Sequence, residues 1–280
     1  MTRPEEIAAA LARELGLADA VPVLVADRSN LVLRIGGVIA RVAMATSMVR
    51  VGMDWLAREV SVSRFLAERR IGVTRPLAGP LEREGLVISF WERENVFGDP
   101  DPALAGRELR RAHEALAEYA GPLPLWGGFE EARQVRERAT AAMTPAERSR
   151  LARAWDLAEA TVAGARARSR SFQAVHGDAH PRNVLGTARG VLWTDWEDTF
   201  LGPVEFDIAC IRSRAFLFGE DVEVTEAMCA SYGVYDEELV RDLGLVRNVQ
   251  VIPWLAVFAE RDPELLPRMR ARIAMLPAER

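Results

Sequence analysis

One segment of the chain, residues 174–209, constrains the fold more than any other part of the sequence. A loop carries a carboxylate and, five residues later, a carboxamide, and a short apolar strand at 190–194 then leads into a second carboxylate. A single Asp or Asn in a loop is usually a turn or capping residue, but this joint pattern is rarely met by chance. The residues of the segment that form this pattern are His176, Asp178, His180, Asn183, Asp195 and Asp207.

These residue types suit the transfer of a phosphoryl group. That chemistry needs a carboxylate beside the attacking hydroxyl, oxygen ligands for magnesium and positive charge around the phosphates. Asp178 can accept a hydrogen bond from a substrate hydroxyl and orient it towards phosphorus. Asn183 and Asp195 can offer oxygen atoms to Mg²⁺, and His180 can donate a hydrogen bond to a phosphate oxygen. His176 is expected to pack in the loop and to bond the backbone.

Composition argues against several kinds of partner. The chain of 280 residues is long enough for two lobes, and its net charge of −5, without a basic tail, predicts no nucleic-acid partner. The apolar runs are far shorter than the roughly 18 residues of a membrane span, so no membrane association is expected. No signal peptide opens the sequence, which favours a cytoplasmic location. Cys210 and Cys229 lack metal-ligand spacing and are expected to fill apolar space.

The first 90 residues read as a small antiparallel sheet with one inserted helix, after a helix that opens the chain. Thr2 and Glu5 form a capping box for the opening helix. Gly36-Gly37 lies between two apolar runs and predicts a two-residue hairpin turn. Two further strands are expected near 75–77 and 86–90.

Beyond the first 90 residues the pattern is mostly helical. The stretch at 98–102, rich in Gly, Asp and Pro, breaks any regular element and suggests a boundary near it. Helices are expected at 236–247 and 249–260, among others. The predicted division is an N-terminal nucleotide-binding lobe at 1–92 and a C-terminal catalytic and substrate-binding lobe at 93–280.

A basic residue inside an apolar strand, Arg41, predicts a buried ion pair. All 36 basic residues of the chain are arginine, so any role that lysine usually fills must fall to Arg or His. On the helix predicted at 55–70, Glu59 lies on an otherwise apolar face, where a carboxylate is costly unless it is paired. Pairing Arg41 with Glu59 satisfies both groups. The alternative is an exposed arginine on an edge strand.

The segment resembles the aminoglycoside phosphotransferase and choline kinase-like family, small-molecule relatives of the protein kinases. The resemblance lies in a loop of the form H-G-D-x-H-x-x-N that is followed by an apolar strand and an aspartate. The resemblance implies an α+β, bilobal protein-kinase-like fold, with a small antiparallel-sheet N-lobe containing one key helix and a mostly helical C-lobe. It implies that Asp178 is the catalytic base and that Asn183 and Asp195 hold magnesium. His180 takes the place of a phosphate-contacting lysine.

The same resemblance implies roles outside the central motif. Asp207, flanked by apolar residues, matches an aspartate expected to anchor the catalytic loop. Arg41 and Glu59 resemble the ion pair between the third strand and the helix of these kinases, whose basic member contacts the nucleotide phosphates. Here that member is arginine instead of lysine. Glu197, close behind Asp195, is expected either to assist the metal or to have a supporting or surface role.

Two nucleotide-binding features depart from the family pattern. The hairpin loop expected over the phosphates, residues 27–30, contains no glycine, so Ser29, Asn30 or backbone N–H groups must cradle the phosphates. The hinge that would receive adenine is expected at 87–92. There the resemblance implies that backbone groups of Ser89 and Trp91 contact the purine edge.

The sequence therefore predicts Mg²⁺-dependent transfer of the γ-phosphate of ATP or GTP to a hydroxyl group of a small molecule. An antibiotic is the leading acceptor class, as in a resistance or self-resistance kinase, and the metabolic alternative is a sugar, an amino alcohol or a cofactor. A nucleotide-binding pseudokinase is a third interpretation, because the phosphate loop lacks glycine and the strand lysine is replaced. A two-metal phosphoesterase is disfavoured because the chain has only three histidines. The sequence leaves open the acceptor, the choice of ATP or GTP and the oligomeric state.

Overall fold

The computed structural model describes residues 1–27, 30–43, 52–260 and 262–278. The chain divides into two compact units. The first unit comprises residues 1–122 and 182–198, and the second comprises residues 123–181 and 199–280. The sheet expected in the first 90 residues lies in the first unit, and the longest helices lie in the second.

A five-stranded sheet forms the frame of the first unit. Its strands are β1 (Val23–Asp27), β2 (Asn30–Ile35), β3 (Val38–Ala43), β4 (Pro76–Arg83) and β5 (Leu86–Glu92). The strand order is β1-β2-β3-β5-β4, and every neighbouring pair is antiparallel. Fully buried residues alternate with less buried ones along β3, so one face of the sheet is directed towards the core.

The helix that opens the chain, α1 (Arg3–Glu14), packs into the core of this sheet. Its capping box is formed, because the backbone N–H of Thr2 donates to the Glu5 carboxylate at 2.7 Å. Leu11 of α1 shares an apolar core with Leu33 and Phe90 of the sheet. The predicted capping box, antiparallel sheet and two-residue turn between β2 and β3 are confirmed.

The fourth strand is longer than the predicted strand at 75–77. It continues through Gly79-Pro80, a pair that normally ends a strand, because its register with β5 shifts there. Pairing resumes where Leu81 lies opposite Ile88. Such an irregularity absorbs the residues that cannot join the ladder. As a result, β5 has a neighbouring strand on each side.

The first unit extends beyond residue 92. Three further elements belong to this unit: α3 (Pro102–Leu116), β7 (Val184–Thr187) and β8 (Gly190–Trp193). The last residue of β8, Trp193, is fully buried and its indole N–H donates to the carbonyl of Ala105 in α3 at 3.0 Å. The backbone N–H of Trp193 also donates to the carbonyl of Gly72 at 2.8 Å. These contacts tie the β7–β8 hairpin and α3 to the sheet-bearing part of the chain.

Helices make up most of the second unit. They are α4 (Gly127–Ala139), α5 (Pro145–Arg168), α6 (Glu205–Phe218), α7 (Val222–Tyr232), α8 (Glu237–Phe258) and α9 (Leu265–Ala274), with a strand pair of β6 (Phe172–Val175) and β9 (Phe200–Pro203). Phe129 of α4 stacks on Trp155 of α5 with ring centroids 5.0 Å apart. The centre of the unit is α8, which packs on α4, α5, α6 and α9.

The two helices predicted at 236–247 and 249–260 are in fact one continuous helix, α8. The prediction of a break was wrong because Arg247 and Asn248 resemble the polar end of a surface helix. Both residues are buried, and both form hydrogen bonds within the second unit. The helix also continues through Pro253.

The cysteines are buried, as composition indicates. Cys210 on α6 and Cys229 on α7 are free thiols in the interior of the second unit. Across residues 1–27, 30–43, 52–260 and 262–278, no helix is both long enough and apolar enough to cross a membrane.

The contacts of Trp193 make a prediction about stability. Trp193→Ala is expected to lower the free energy of unfolding by about 3–5 kcal/mol, because it leaves a large cavity. Trp193→Phe is expected to cost about 1–3 kcal/mol, because it leaves the buried Ala105 carbonyl without its donor. Urea unfolding measures both values. As a control, Phe97→Ala removes an aromatic ring that is 63% exposed in the same unit, and it should cost less than about 1 kcal/mol.

Candidate active site

In the first unit, the guanidinium group of Arg41 joins β3 to two other elements. Its Nη1 donates to Glu59 of α2 (Gly52–Glu68). Its Nη2 donates to Asp195 Oδ1 at 2.6 Å and to Glu197 Oε2 at 3.0 Å. The side chains of Arg41 and Glu59 are only 12% and 1% exposed. The ion pair expected from the sequence is therefore present and buried, and its contact with nucleotide phosphates stays a prediction.

This cluster contains more carboxylates than cations. Burial opposes the charge of Arg41, but Glu59, Asp195 and Glu197 outweigh it and hold the pKa of the guanidinium above its usual value. Burial raises the pKa of Glu59 well above its usual range, and repulsion by Glu197 and Asp195 adds to the rise although Arg41 opposes it. Among the described residues, Glu59 Oε2 is buried without a hydrogen-bond partner. An additional cation would relieve this repulsion.

The two candidate magnesium ligands lie at the same end of the β7–β8 hairpin. Asn183 immediately precedes β7, and Asp195 follows β8 after one intervening residue. The backbone N–H of Thr194 donates to the carbonyl of Asn183 at 3.0 Å, so the hairpin brings the two positions together. Asp195 has a φ of 70°, a left-handed conformation that Asp adopts more readily than most residues. Its side chain is 35% exposed.

This arrangement fits a magnesium ion that is shared with a nucleotide. In the described part of the chain, no group of three or more His, Cys, Asp or Glu side chains is placed to hold a metal by itself. Mg²⁺ in kinases needs only one or two protein oxygens, because phosphates and water complete its shell. Asn183 and Asp195 would supply those oxygens. The carboxylates around Arg41 repel one another, and Glu59 Oε2 has no hydrogen-bond partner among the described residues, so a cation near this cluster would be stabilised.

In the second unit, Asp207 of α6 holds the loop that follows β6. Its two carboxylate oxygens accept the backbone N–H groups of His176 at 2.7 Å and Gly177 at 2.9 Å. His176 is fully buried, and its Nδ1 accepts the backbone N–H of Asp178 at 3.3 Å. The supporting roles expected for Asp207 and His176 agree with these contacts. The backbone of the loop that leads into Asp178 is thus fixed at three successive N–H groups.

The carboxylate of Asp178 contacts two positively polarised groups. Arg247 of α8 donates from Nη2 to Oδ1, and His180 Nε2 lies 3.3 Å from Oδ2. Burial by itself would raise the pKa of Asp178, but Arg247 and then His180 outweigh burial and hold that pKa well below its usual range. Asp178 is therefore ionised at neutral pH. An ionised carboxylate that is still 23% exposed can accept a hydrogen bond from a hydroxyl group.

The contacts of His180 differ from the role expected for it. The sequence predicts a hydrogen bond from this imidazole to a phosphate oxygen, whereas its Nε2 lies beside the Asp178 carboxylate. Among the described residues, Nδ1 of His180 is buried and has no hydrogen-bond partner. The phosphate contact of His180 stays a prediction.

The residues expected to bind the nucleotide have different surroundings. Ser29 lies outside the described residues. Asn30 is buried in β2, and its Nδ2 donates to Glu197 Oε2 at 2.6 Å. Ser89 and Trp91 lie within β5, between β3 and β4, and the indole N–H of Trp91 donates to Ser89 Oγ at 2.9 Å. Their predicted contact with the purine edge stays a prediction, although both residues belong to a strand that is paired on each side.

Arg247 is the residue of this site that the sequence did not reveal. It lies 69 residues beyond Asp178, in a part of the chain without a recognisable motif. The one signal for it is its position in an otherwise apolar helical stretch, where a charged residue requires a partner. That signal was lost because a helix end was expected at this position.

The family is established by comparison with known proteins. Residues 24–243, more than half of the chain, match the phosphotransferase enzyme family (APH). The chain belongs to this family. An N-acetylmuramate/N-acetylglucosamine kinase of Pseudomonas aeruginosa is 29% identical over 182 residues, which are 60% of this chain and 52% of that protein. The chain therefore spans about half the length of this curated relative.

Solved structures share the fold. A choline/ethanolamine kinase family protein from Mesorhizobium loti has a TM-score of 0.71 at 16% identity, over 98% of this chain and 93% of its own. The amicoumacin kinase hAmiN, solved with AMP-PNP, Ca²⁺ and Ami, has a TM-score of 0.66 at 15% identity. The match covers 91% of this chain and 89% of that chain. The aminoglycoside phosphotransferase APH(3'')-Id from Streptomyces rimosus has a TM-score of 0.63 at 20% identity. The match covers 89% of this chain and 99% of that chain. The predicted protein-kinase-like fold is confirmed.

The anchoring of the loop by Asp207 can be tested. Asp207→Ala is expected to lower the free energy of unfolding by about 1–3 kcal/mol for each of the two N–H groups left without an acceptor. Nucleotide turnover should also fall, because the backbone next to Asp178 is no longer fixed. Asp207→Asn keeps one carbonyl acceptor, so its free energy of unfolding and its nucleotide turnover should lie between those of the wild type and of Asp207→Ala. Asp156→Ala, on the exposed face of α5, is the matched control and should change neither quantity.

The ion pair of Asp178 makes a prediction about pH dependence. Because Arg247 lowers the pKa of Asp178 below 3.8, the wild-type carboxylate stays ionised as the pH falls through the mildly acidic range. Arg247→Gln removes this stabilisation, so the pKa of Asp178 should rise and the acidic limb of the pH–rate profile should move to higher pH. Arg247→Lys should restore part of the shift. If the acidic limb of the pH–rate profile is unchanged in Arg247→Gln, Arg247 does not control the pKa of Asp178. The control is Arg241→Gln, on the exposed face of α8, which should leave the profile unchanged.

Proposed function

We propose that this protein transfers the γ-phosphate of ATP or GTP to a hydroxyl group of a small molecule, with Mg²⁺. The observation that carries the proposal is the environment of Asp178, a carboxylate kept ionised on an anchored loop by Arg247 and His180. The family match supports the class of reaction.

In the proposed reaction, the oxygen of the acceptor hydroxyl forms a bond to the γ-phosphorus. The bond from that phosphorus to the bridging oxygen breaks, and the nucleoside diphosphate leaves with the electron pair. Asp178 accepts the hydrogen bond of the hydroxyl, orients its oxygen and takes its proton as the new bond forms. Arg247 and His180 hold the carboxylate in position for this step.

The first unit would provide the nucleotide and metal side of the reaction. Asn183 and Asp195 would hold Mg²⁺, which when bound neutralises charge on the phosphate oxygens. Arg41 would contact the phosphates through Nη2, the nitrogen that also donates to Asp195 and Glu197, while Nη1 donates to Glu59. Asn30, Ser29 and the backbone of Ser89 and Trp91 complete the proposed nucleotide contacts.

The acceptor class is the finer part of the proposal. The amicoumacin kinase and the aminoglycoside phosphotransferase among the structural neighbours favour an antibiotic. The relative from Pseudomonas aeruginosa is named as a kinase of N-acetylmuramate and N-acetylglucosamine, and its 29% identity specifically favours a sugar hydroxyl. A metabolic sugar kinase is therefore the second candidate.

A phosphate-transfer screen tests the function directly. Purified protein is incubated with Mg²⁺ and either ATP or GTP, and with aminoglycosides, macrolides, nucleoside antibiotics, choline and sugars. Mass spectrometry should detect one added phosphoryl group on the true acceptor. Asp178→Asn is expected to lower the rate by about 10²–10⁴-fold, because the hydroxyl loses its general base. Asp195→Ala should lose activity that higher Mg²⁺ concentration restores in part.

The control for these variants is Asp156→Asn, which changes an exposed carboxylate on α5 and should retain full activity. Undiminished transfer by Asp178→Asn would contradict the role of Asp178 as the base. Tight binding of ATP or GTP without any Mg²⁺-dependent turnover would support a pseudokinase instead.

A further inference from the structure

A cavity of about 810 Å³ lies among the helices of the second unit, where α6, α7 and α8 line it. Met275 and Pro277, which follow α9, complete part of its wall. Protein interiors are normally packed with few voids larger than a water molecule. Sites for small organic molecules usually have volumes of about 300–1,000 Å³. The cavity is therefore large enough to hold such a ligand.

The cavity is open to solvent on a side that is apolar. Phe216, near the end of α6, is 71% exposed, and Met275 is 53% exposed. Val222, the first residue of α7, is exposed as well. Single exposed apolar side chains are ordinary on a protein surface. Three of them around one concave region are typical of a binding site.

The wall that α8 contributes is open in its middle, at Gly244. The lining residues Val240, Gly244 and Asn248 recur every four positions, so they lie on one face of the helix. Apart from the adjacent backbone of α8, a Cβ atom at Gly244 would meet no part of the protein within 4 Å. A side chain at this position would therefore enter the cavity, and glycine leaves that space available.

The cavity and the loop of the candidate base contact different faces of α6. Ala209, Ser213 and Phe216 line the cavity, and their spacing of four and three residues places them on one face of the helix. Asp207, which holds the loop of Asp178, lies about 160° around the helix from Ala209. The helix thus separates the cavity from the loop that it anchors.

The formal charges of the described lining residues cancel. The charged members are two arginines and two glutamates, Arg212, Glu226, Glu237 and Arg241. Arg212 is the least exposed of the four, and its Nη1 and Nη2 donate to the two carboxylate oxygens of Glu237. Its Nη2 also donates to the hydroxyl oxygen of Tyr235 at 2.9 Å. A charged ligand would lose its hydration here without gaining a net counter-charge.

Neutral polar groups of the lining are used within the protein. Ser213 and Thr225 each donate the hydroxyl proton to the backbone carbonyl three residues earlier, at 2.8 and 3.0 Å. The carboxamide of Asn248 donates to the carbonyl of Arg272 at 3.2 Å. Burial raises the pKa of the Cys229 thiol to about 11, so this group is uncharged at neutral pH. A ligand in the cavity would therefore be held mainly by apolar contacts.

We propose that this cavity is a binding site for a neutral, mainly apolar small molecule, separate from the candidate active site. The proposal does not depend on the function proposed above, because none of the residues assigned to phosphoryl transfer lines the cavity. A small molecule fits better than a second protein chain, because the open centre at Gly244 makes the region a recess instead of a flat surface.

The binding of a neutral dye tests the chemical class of the ligand. Nile red is titrated into the purified full chain and followed by fluorescence, and wild type should bind it saturably. Cyclohexanol, cyclohexanecarboxylate and cyclohexylamine then compete with the dye; they share a ring and differ in charge at neutral pH. Cyclohexanol should displace the dye at a concentration about tenfold lower than either charged compound, because no charge is desolvated. Stronger displacement by a charged compound, or no saturable dye binding, would overturn the proposal.

Substitutions at Gly244 locate the dye. Gly244→Leu places a side chain in the middle of the cavity and should weaken dye binding by about tenfold or more, because the space is filled. Gly244→Ala adds one methyl group and should retain most of the binding. The matched control is Gly164→Leu, at a glycine of α5 where a Cβ atom would also meet no close neighbour. It should bind the dye like wild type.

Thermal melting shows whether the leucine variants are folded. Both should unfold cooperatively at or above the wild-type Tm, because leucine is a better helix former than glycine. Unchanged dye binding by a folded Gly244→Leu would place the dye outside the cavity and would refute the site.

Two further variants distinguish the cavity from other binding regions. Asp178→Asn should bind Nile red like wild type, whereas loss of binding would place the dye in the candidate active site and contradict a separate cavity site. Phe216→Ser removes an exposed apolar ring and should leave the molar mass from light scattering unchanged. If this variant instead dissociates an oligomer, a second copy of the chain covers the cavity and the small-molecule site is wrong.

Discussion

The buried guanidinium of Arg41 needs carboxylate partners, and this requirement holds several elements of the first unit together. Arg41 of β3 binds carboxylates from α2 and from the segment after β8, and Asn30 of β2 donates to one of them. Because an unpaired buried charge costs several kcal/mol, these elements are held in one arrangement. The same contacts leave more carboxylates than cations in the cluster. The need to compensate Arg41 thus concentrates carboxylates next to Asp195, the residue proposed to hold Mg²⁺.

In the second unit, a carboxylate of α6 holds the loop that carries Asp178. Asp207 fixes the loop backbone through two N–H groups, which leaves Asp178 as the exposed carboxylate of that loop. Arg247 of α8 and His180 contact this carboxylate. Because the two cationic or polar groups come from different parts of the chain, the packing of α8 decides the electrostatic environment of Asp178.

Fold and family establish the class of reaction but do not select the acceptor. The structural neighbours include an antibiotic kinase and a choline/ethanolamine kinase family protein on the same fold. Function on a shared fold is decided by the side chains of the site. In this chain the side chains that contact Asp178 are those of Arg247 and His180.

The sequence alone determined the features that depend on local patterns or on the cost of burial. The motif at 174–209 predicted the loop, the strand and the polar residues that flank them. The pairing of Arg41 with Glu59 followed from periodicity, because each is a charged residue on an apolar face. The tertiary structure decided the rest: the path of β4 through Gly79-Pro80, the continuity of α8, and the contact of Arg247 with Asp178 across 69 residues. Spacing along the chain encodes secondary structure, but the partner of a buried charge far away in sequence is set only by how the helices pack.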